Sequence, residues 1–161
     1  MRWGWPVLVD SIRTFCQADA TIKAAVGGTF NPLTPYTTWC RDTYTFPYCT
    51  MTETAKSPRH AFGSPYIEGI DIQFTFWDDM ADPSGEARIR RNLDYFTQTL
   101  MNAPTLALAS GSSNFAVRHV GDQHVRGFEA GDPQNTLRRP VWMGSVIFQF
   151  QQGRVTGTVS T

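Results

Sequence analysis

The order of periodicities along this chain predicts an α+β fold: a single antiparallel (mixed) sheet of about four to five strands, with two main helices packed on one face. Three observations carry that expectation. Residues 66–77 alternate, Ile70, Ile72, Phe74 and Phe76 on one side and Asp71, Gln73 and Thr75 on the other. Residues 141–151 alternate in the same way, with Trp142, Val146, Phe148 and Phe150 opposite Gln149 and Gln151. Between them, Ile89, Leu93, Phe96 and Leu100 recur at helical spacing.

The first helix is expected over 7–17, where Leu8, Ile12 and Phe15 form a stripe and Pro6 sits in the first turn, a position that needs no N–H. A short helix follows over 19–26. Asp19 is its expected N-cap, Ile22, Ala25 and Val26 share one face, and Gly27–Gly28 supply the left-handed stop. Thr29–Phe30 is expected to begin a brief strand that Pro32 ends. Residues 31–46 then form a long connection rich in threonine and aromatics, Tyr36, Trp39, Tyr44 and Phe46. Such rings are costly in water, so they cover their own domain or meet a partner.

Residues 48–54 read as a strand, and 55–65, with two prolines and a local positive charge, as a mobile hairpin tip. Asp82 and Pro83 are expected as N-cap and first position of the second main helix, which Pro104 ends. Short strands are expected over 115–120 and 125–128, and 131–135 is a turn cluster. Residues 1–152 are expected as one domain and 153–161 as a loose polar tail.

Composition narrows function mainly by exclusion. The 161 residues suit one domain with a real core, and 41% hydrophobic content argues against disorder. Fourteen Lys and Arg balance fourteen Asp and Glu, so no global field draws nucleic acid, membrane or an acidic substrate. The opening residues lack the apolar run of a signal peptide and no segment reaches membrane-span length, so the expectation is a protein made and kept in the cytoplasm. Cys16, Cys40 and Cys49 form no zinc-type pair. Cys16 is expected as a small buried hydrophobe, and a Cys40–Cys49 disulfide is the less favoured reading.

Chemistry-bearing residues are few. His60 is placed in a loop, and His119 and His124, five apart, fall on opposite faces of a strand unless the chain bends. They anchor the competing reading, a small enzyme or ligand-binding domain. Asp78, Asp79 and Asp82 lack the spacing of a calcium loop and fit a strand exit and helix cap. No nucleophile elbow, phosphate loop or zinc helix motif occurs, and Ser112 has no histidine placed to activate it, so no catalytic, cofactor-binding or metal residue is assigned. Arg88, Arg90 and Arg91 read as a solvated helix face. Lys56 with Arg59, and Arg126 with Arg138 and Arg139, lie in strand-joining regions that are expected to reach the same end of the sheet. With Trp39 and Tyr44 they are the candidate interface, favouring protein contacts over DNA phosphates.

Several pieces in fixed order resemble the tail terminator or tail-completion proteins of long-tailed bacteriophages. They are Gln17-Ala-Asp-Ala through Ala-Ala-Val-Gly-Gly28, Phe30 with Pro32 and Pro35, Phe46-Pro-Tyr48 leading into a strand, the strand from Ile70 ending in Phe76-Trp77 before Ser84-Gly-Glu-Ala87, and Phe148-Gln-Phe150. The chain departs from the pattern at 37–46 and 57–65. The resemblance implies a non-enzymatic virion subunit that forms a ring, expected to be a hexamer, on the head-proximal end of the tail tube. Implied partners are further copies of itself, the tail tube protein and the head-tail connector or stopper, with DNA crossing the lumen without sequence-specific contact. A stopper or neck role in the same connector is the nearest alternative.

Overall fold

In the computed structural model, residues 5–37, 43–60, 66–102, 105–107, 114–121, 124–133, 135 and 137–154 are described. The elements run α1 (Trp5–Ala18), α2 (Ala20–Val26), β1 (Tyr48–His60), β2 (Tyr66–Asp79), α3 (Gly85–Asn102), β3 (Thr105–Ala107), β4 (Asn114–His119), β5 (His124–Phe128) and β6 (Val141–Arg154). The sheet order is β1-β2-β6-β4-β3, and β5 also pairs with β6. β4 lies against residues 148–151 of β6 and β5 against 141–145, so six strands fill five positions. All the strand pairings are antiparallel; an isolated bridge between Tyr36 and Thr50 is parallel.

The alternation read in the sequence sorts the two faces. Ile70, Ile72, Phe74 and Phe76 of β2 join Val146, Phe148 and Phe150 of β6 beneath Leu8, Ile12, Ile22, Val26, Ile89, Leu93, Phe96 and Leu100 of the helices. Phe96 is the hub, its ring centroid 4.9 Å from that of Phe74 and 5.2 Å from that of Phe76, in tilted and edge-on geometries that suit the ring quadrupoles. Cys16 and Cys49 are free, buried thiols in this layer. Burial pushes both thiol pKa values up, and the neighbouring Cys16 adds to the rise at Cys49. Cys40 and its pairing lie outside the described residues.

The opposite face is dry at one end only. Tyr48, Trp77, Phe128, Leu137 and Val141 form a second cluster, against which Tyr36, Tyr44, Phe46 and Met143 pack. The aromatic connection thus folds back on its own chain. Tyr44 stacks face to face on Tyr36 with centroids 3.7 Å apart, and both meet Tyr48 edge-on. The Trp77 indole N–H donates to the buried Thr50 hydroxyl over 3.1 Å. Further along, the face turns polar: Gln149 Nε2 donates to Asp71 Oδ1 and Gln151 Nε2 donates to Gln149 Oε1.

Several local expectations are corrected. Residues 27–30 form a turn, not a strand: Gly27 adopts φ 94°, and the N–H groups of Phe30 and Asn31 both donate to the Gly27 carbonyl. β1 runs to His60, so 55–60 belong to a strand; a bulge between Glu53 and Ala55 resets the register, and Pro58 is tolerated because β1 is an edge. His60 is therefore in a strand, not a loop. Gly153 and Arg154 belong to β6, not to a loose tail, and 155–161 lie outside the described residues. β3 escaped the sequence reading because three residues are too few to show a period.

The start of α3 is also displaced. Asp82 accepts the Ser84 N–H and hydroxyl, Ser84 accepts the first helical bond from Arg88, and the helix begins at Gly85 instead of Pro83. A Cβ at Gly85 would collide with the Asp79 carbonyl oxygen, so only glycine lets the helix start this close to the end of β2. Gly85→Ala should destabilise the fold by about 1–3 kcal/mol through that clash. Urea unfolding followed by circular dichroism measures it, with an unchanged midpoint contradicting the tight approach.

Candidate functional site

Among the described residues, no three His, Cys, Asp or Glu side chains gather to hold a metal ion. His119 pairs with Phe148 and His124 with Ser145, which puts them on opposite faces of the sheet as their spacing predicts. The His119 ring lies edge-on to Phe148, and its buried Nε2 has no hydrogen-bond partner among the described residues. No helix among the described residues is long and apolar enough to cross a membrane.

The acidic cluster is structural. Asp78, completely buried, receives both Nε and Nη2 of Arg88 at 2.6 Å, and the same Nη2 reaches Asp82 Oδ2 at 3.0 Å. Arg88 is thus a clamp joining the end of β2 to the first turn of α3, not part of a solvated face. Two carboxylates hold its pKa above the ordinary arginine value, hydrogen bonding to Asp78 contributing most. Arg90, half-way round the helix, makes only an exposed pair with Glu86, worth little in water. Sequence reading missed Arg88 because a ten-residue separation across a strand exit carries no periodic signal.

The candidate interface residues do not converge. Lys56 pairs with Ile70, which faces Phe150, whereas Arg126 pairs with Met143. Those two positions on β6 are seven residues apart, about 23 Å along a strand. The Lys56–Arg59 group and the Arg126–Arg138–Arg139 group therefore occupy opposite ends of the sheet, correcting the expectation that they share one. Hairpin length is the reason: β1 and β2 carry the turn far beyond the point where the sequence placed it. Trp39 lies outside the described residues, and Tyr44 packs within its own chain.

In the second arginine group Arg126 lies in β5, and Arg138 and Arg139 sit on a braced loop. Asn135 Nδ2 donates to the carbonyls of Glu129 and Arg139, each over 2.9 Å, while its Oδ1 accepts the Leu137 N–H. The guanidinium of Arg139 lies 4.3 Å above the Phe46 ring and that of Arg126 lies 4.7 Å above Phe128. Arg138 is exposed beside them. The result is a rigid cationic rim at the end of the sheet where β5 stops and β6 starts.

On the helical side, an open groove of about 580 Å³ runs between α2 and the first half of α3, walled by Phe30, Phe46 and Arg91. Comparison with protein-family models and with curated proteins gives no match for this chain.

Two outcomes follow from the carboxylates. Removing the clamp by Arg88→Met should cost about 3–5 kcal/mol, because Asp78 is left charged and buried, while the double change Arg88→Met, Asp78→Leu should recover much of the loss. Chemical denaturation of the three proteins checks it. Asp82 and Asp19 both have pKa values held below the ordinary carboxylate value, chiefly by backbone N–H donors, Ser84 for Asp82 and Ile22 for Asp19. Depressed folded-state values mean stability present above about pH 4 and lost as pH falls through the lowered values. Asp82→Asn should flatten that acid limb in a thermal-melt series, and an identical limb would contradict it.

Proposed function

We propose that this chain is a structural subunit of a long-tailed phage particle: a tail terminator that forms a ring on the head-proximal end of the tail tube and docks to the head connector. The observation that carries the proposal is a sheet left open on both sides. Among the described residues β1 pairs only with β2, apart from the Tyr36 bridge at Thr50, and residues Thr52 to Ala55 beyond it are exposed. On the other side, β5 pairs only with β6 among the described residues. Uncovered strands at the two borders of one subunit invite head-to-tail contact, which closes into a ring when the rotation per subunit divides a full turn.

The separation of the two basic groups supports the same reading. A ring in a stacked tail meets one neighbour on each of its ends, and this sheet carries cations near both ends. The formal charge of the chain is zero, which suits protein neighbours and non-specific passage of DNA better than sequence-specific binding. The resemblance of the ordered sequence pieces to those of tail-completion proteins directs the proposal to this particle. The virion is accordingly the proposed location, and no catalytic role is proposed.

Two measurements test it. Light scattering of the purified chain, alone and with the tail tube protein, should give a closed oligomer of fixed mass; monomers under both conditions would overturn the ring. Electron microscopy of particles made without the gene should show over-long tails or tails without heads. Normal tails joined to heads would overturn the assignment.

A further inference from the structure

The groove beside α2 has a chemistry that the ring does not use. We propose that it docks an extended segment of a partner protein in which an aromatic or leucine side chain stands within two residues of a carboxylate. The inference concerns one subunit and holds whether or not the ring forms.

The apolar half of that description comes from the groove's surface. Ala20 and Ala24 of α2 present only methyl groups, so a bound chain can approach the helix closely. Phe30 forms a wall yet remains 63% exposed, and Leu33, three residues on, is 60% exposed. Two large apolar side chains this exposed, next to a groove, mark a surface that gains from being covered. The backbone that carries them is held in place. The Phe30 N–H donates to the Gly27 carbonyl, the Leu33 N–H to Asn31 Oδ1, and the Thr34 hydroxyl to the Asn31 carbonyl. A turn prearranged in this way lowers the ordering cost of binding.

The acidic half comes from charge. Arg88 at the groove is already satisfied by Asp78 and Asp82. Arg91, almost one turn on, is exposed, lines the groove and makes no ion pair among the described residues. Asp19 is engaged in capping α2 and accepting the Tyr95 hydroxyl, Glu86 pairs with Arg90, and Asp94, exposed three residues beyond Arg91, lines a separate pocket with Arg90. Arg91 thus stands as an exposed cation without an ion pair among the described residues, beside an apolar floor, and its complement is a carboxylate adjoining an apolar anchor. The open form fits a stretch of peptide better than an enclosed small molecule.

A displayed library of random heptapeptides, each about 24 Å when extended, should be selected in parallel against the full chain, Arg91→Glu and Phe30→Ser. The full chain is expected to enrich Phe, Trp or Leu within two positions of Asp or Glu. Arg91→Glu should bind those peptides roughly five-fold more weakly and itself enrich Lys or Arg beside the same anchor. Phe30→Ser should enrich nothing, with both variants melting within a few degrees of the parent because neither side chain is part of the core. An absent or basic consensus from the parent chain, or peptides indifferent to Arg91→Glu, would overturn the proposal. So would a concentration-dependent dimer abolished by Phe30→Ser, since a second copy would then be the occupant.

Discussion

The register between β2 and β6 governs the rest of the molecule. All fourteen residues of each strand pair, from Tyr66 opposite Arg154 to Asp79 opposite Val141. A slip of β6 by one residue against β2 would turn Val146, Phe148 and Phe150 out of the helical layer and bring Gln149 and Gln151 into it. Several large apolar side chains would be exposed at once, each worth about 1.5–3 kcal/mol when buried. Nothing at the ends of the strands need be strong for the pairing to be unique. The clamp, the loops and the groove inherit their positions from it.

At the end of the sheet where β2 leaves, two devices of different chemistry meet. Arg88 ties Asp78 to α3 on the helical side, while Tyr48, Trp77 and Val141 close the opposite side under the aromatic connection. The clamp is weak evidence for net stability, since burying Asp78 forfeits its hydration. Its effect is directional: it fixes where α3 departs from β2, with Gly85 permitting the close approach. The far end of the sheet carries the polar ladder of Asp71, Gln149 and Gln151, so the two ends of one face differ in wetness as well as in loops.

The parts of this fold legible in sequence were those with a period. β2, β6 and α3 declared themselves by alternation or helical spacing, and Asp19 with Gly27 marked both ends of α2. What sequence missed has no period. β1 extends past its bulge because an edge position tolerates Pro58, and that is a property of sheet order. Arg88 and Asp78 are brought together by the geometry of a strand exit. The aromatic connection left burial and partner contact open, and the Tyr36–Tyr44 stack decides for burial only through the packing of Tyr48 and Trp77. For the candidate site, the residue types were readable but their grouping was not: the hairpin's true length separates Lys56 and Arg59 from the arginine rim.

The two thiols in the helical layer give the molecule a built-in gauge of its own opening. Cys16 and Cys49 are completely buried and held protonated by their surroundings, so an alkylating reagent at neutral pH can reach neither while the layer is closed. Their modification rate in native buffer reports how often helices and sheet part company. If subunits close into a ring, that rate should fall with assembly even though neither sulfur touches a neighbour.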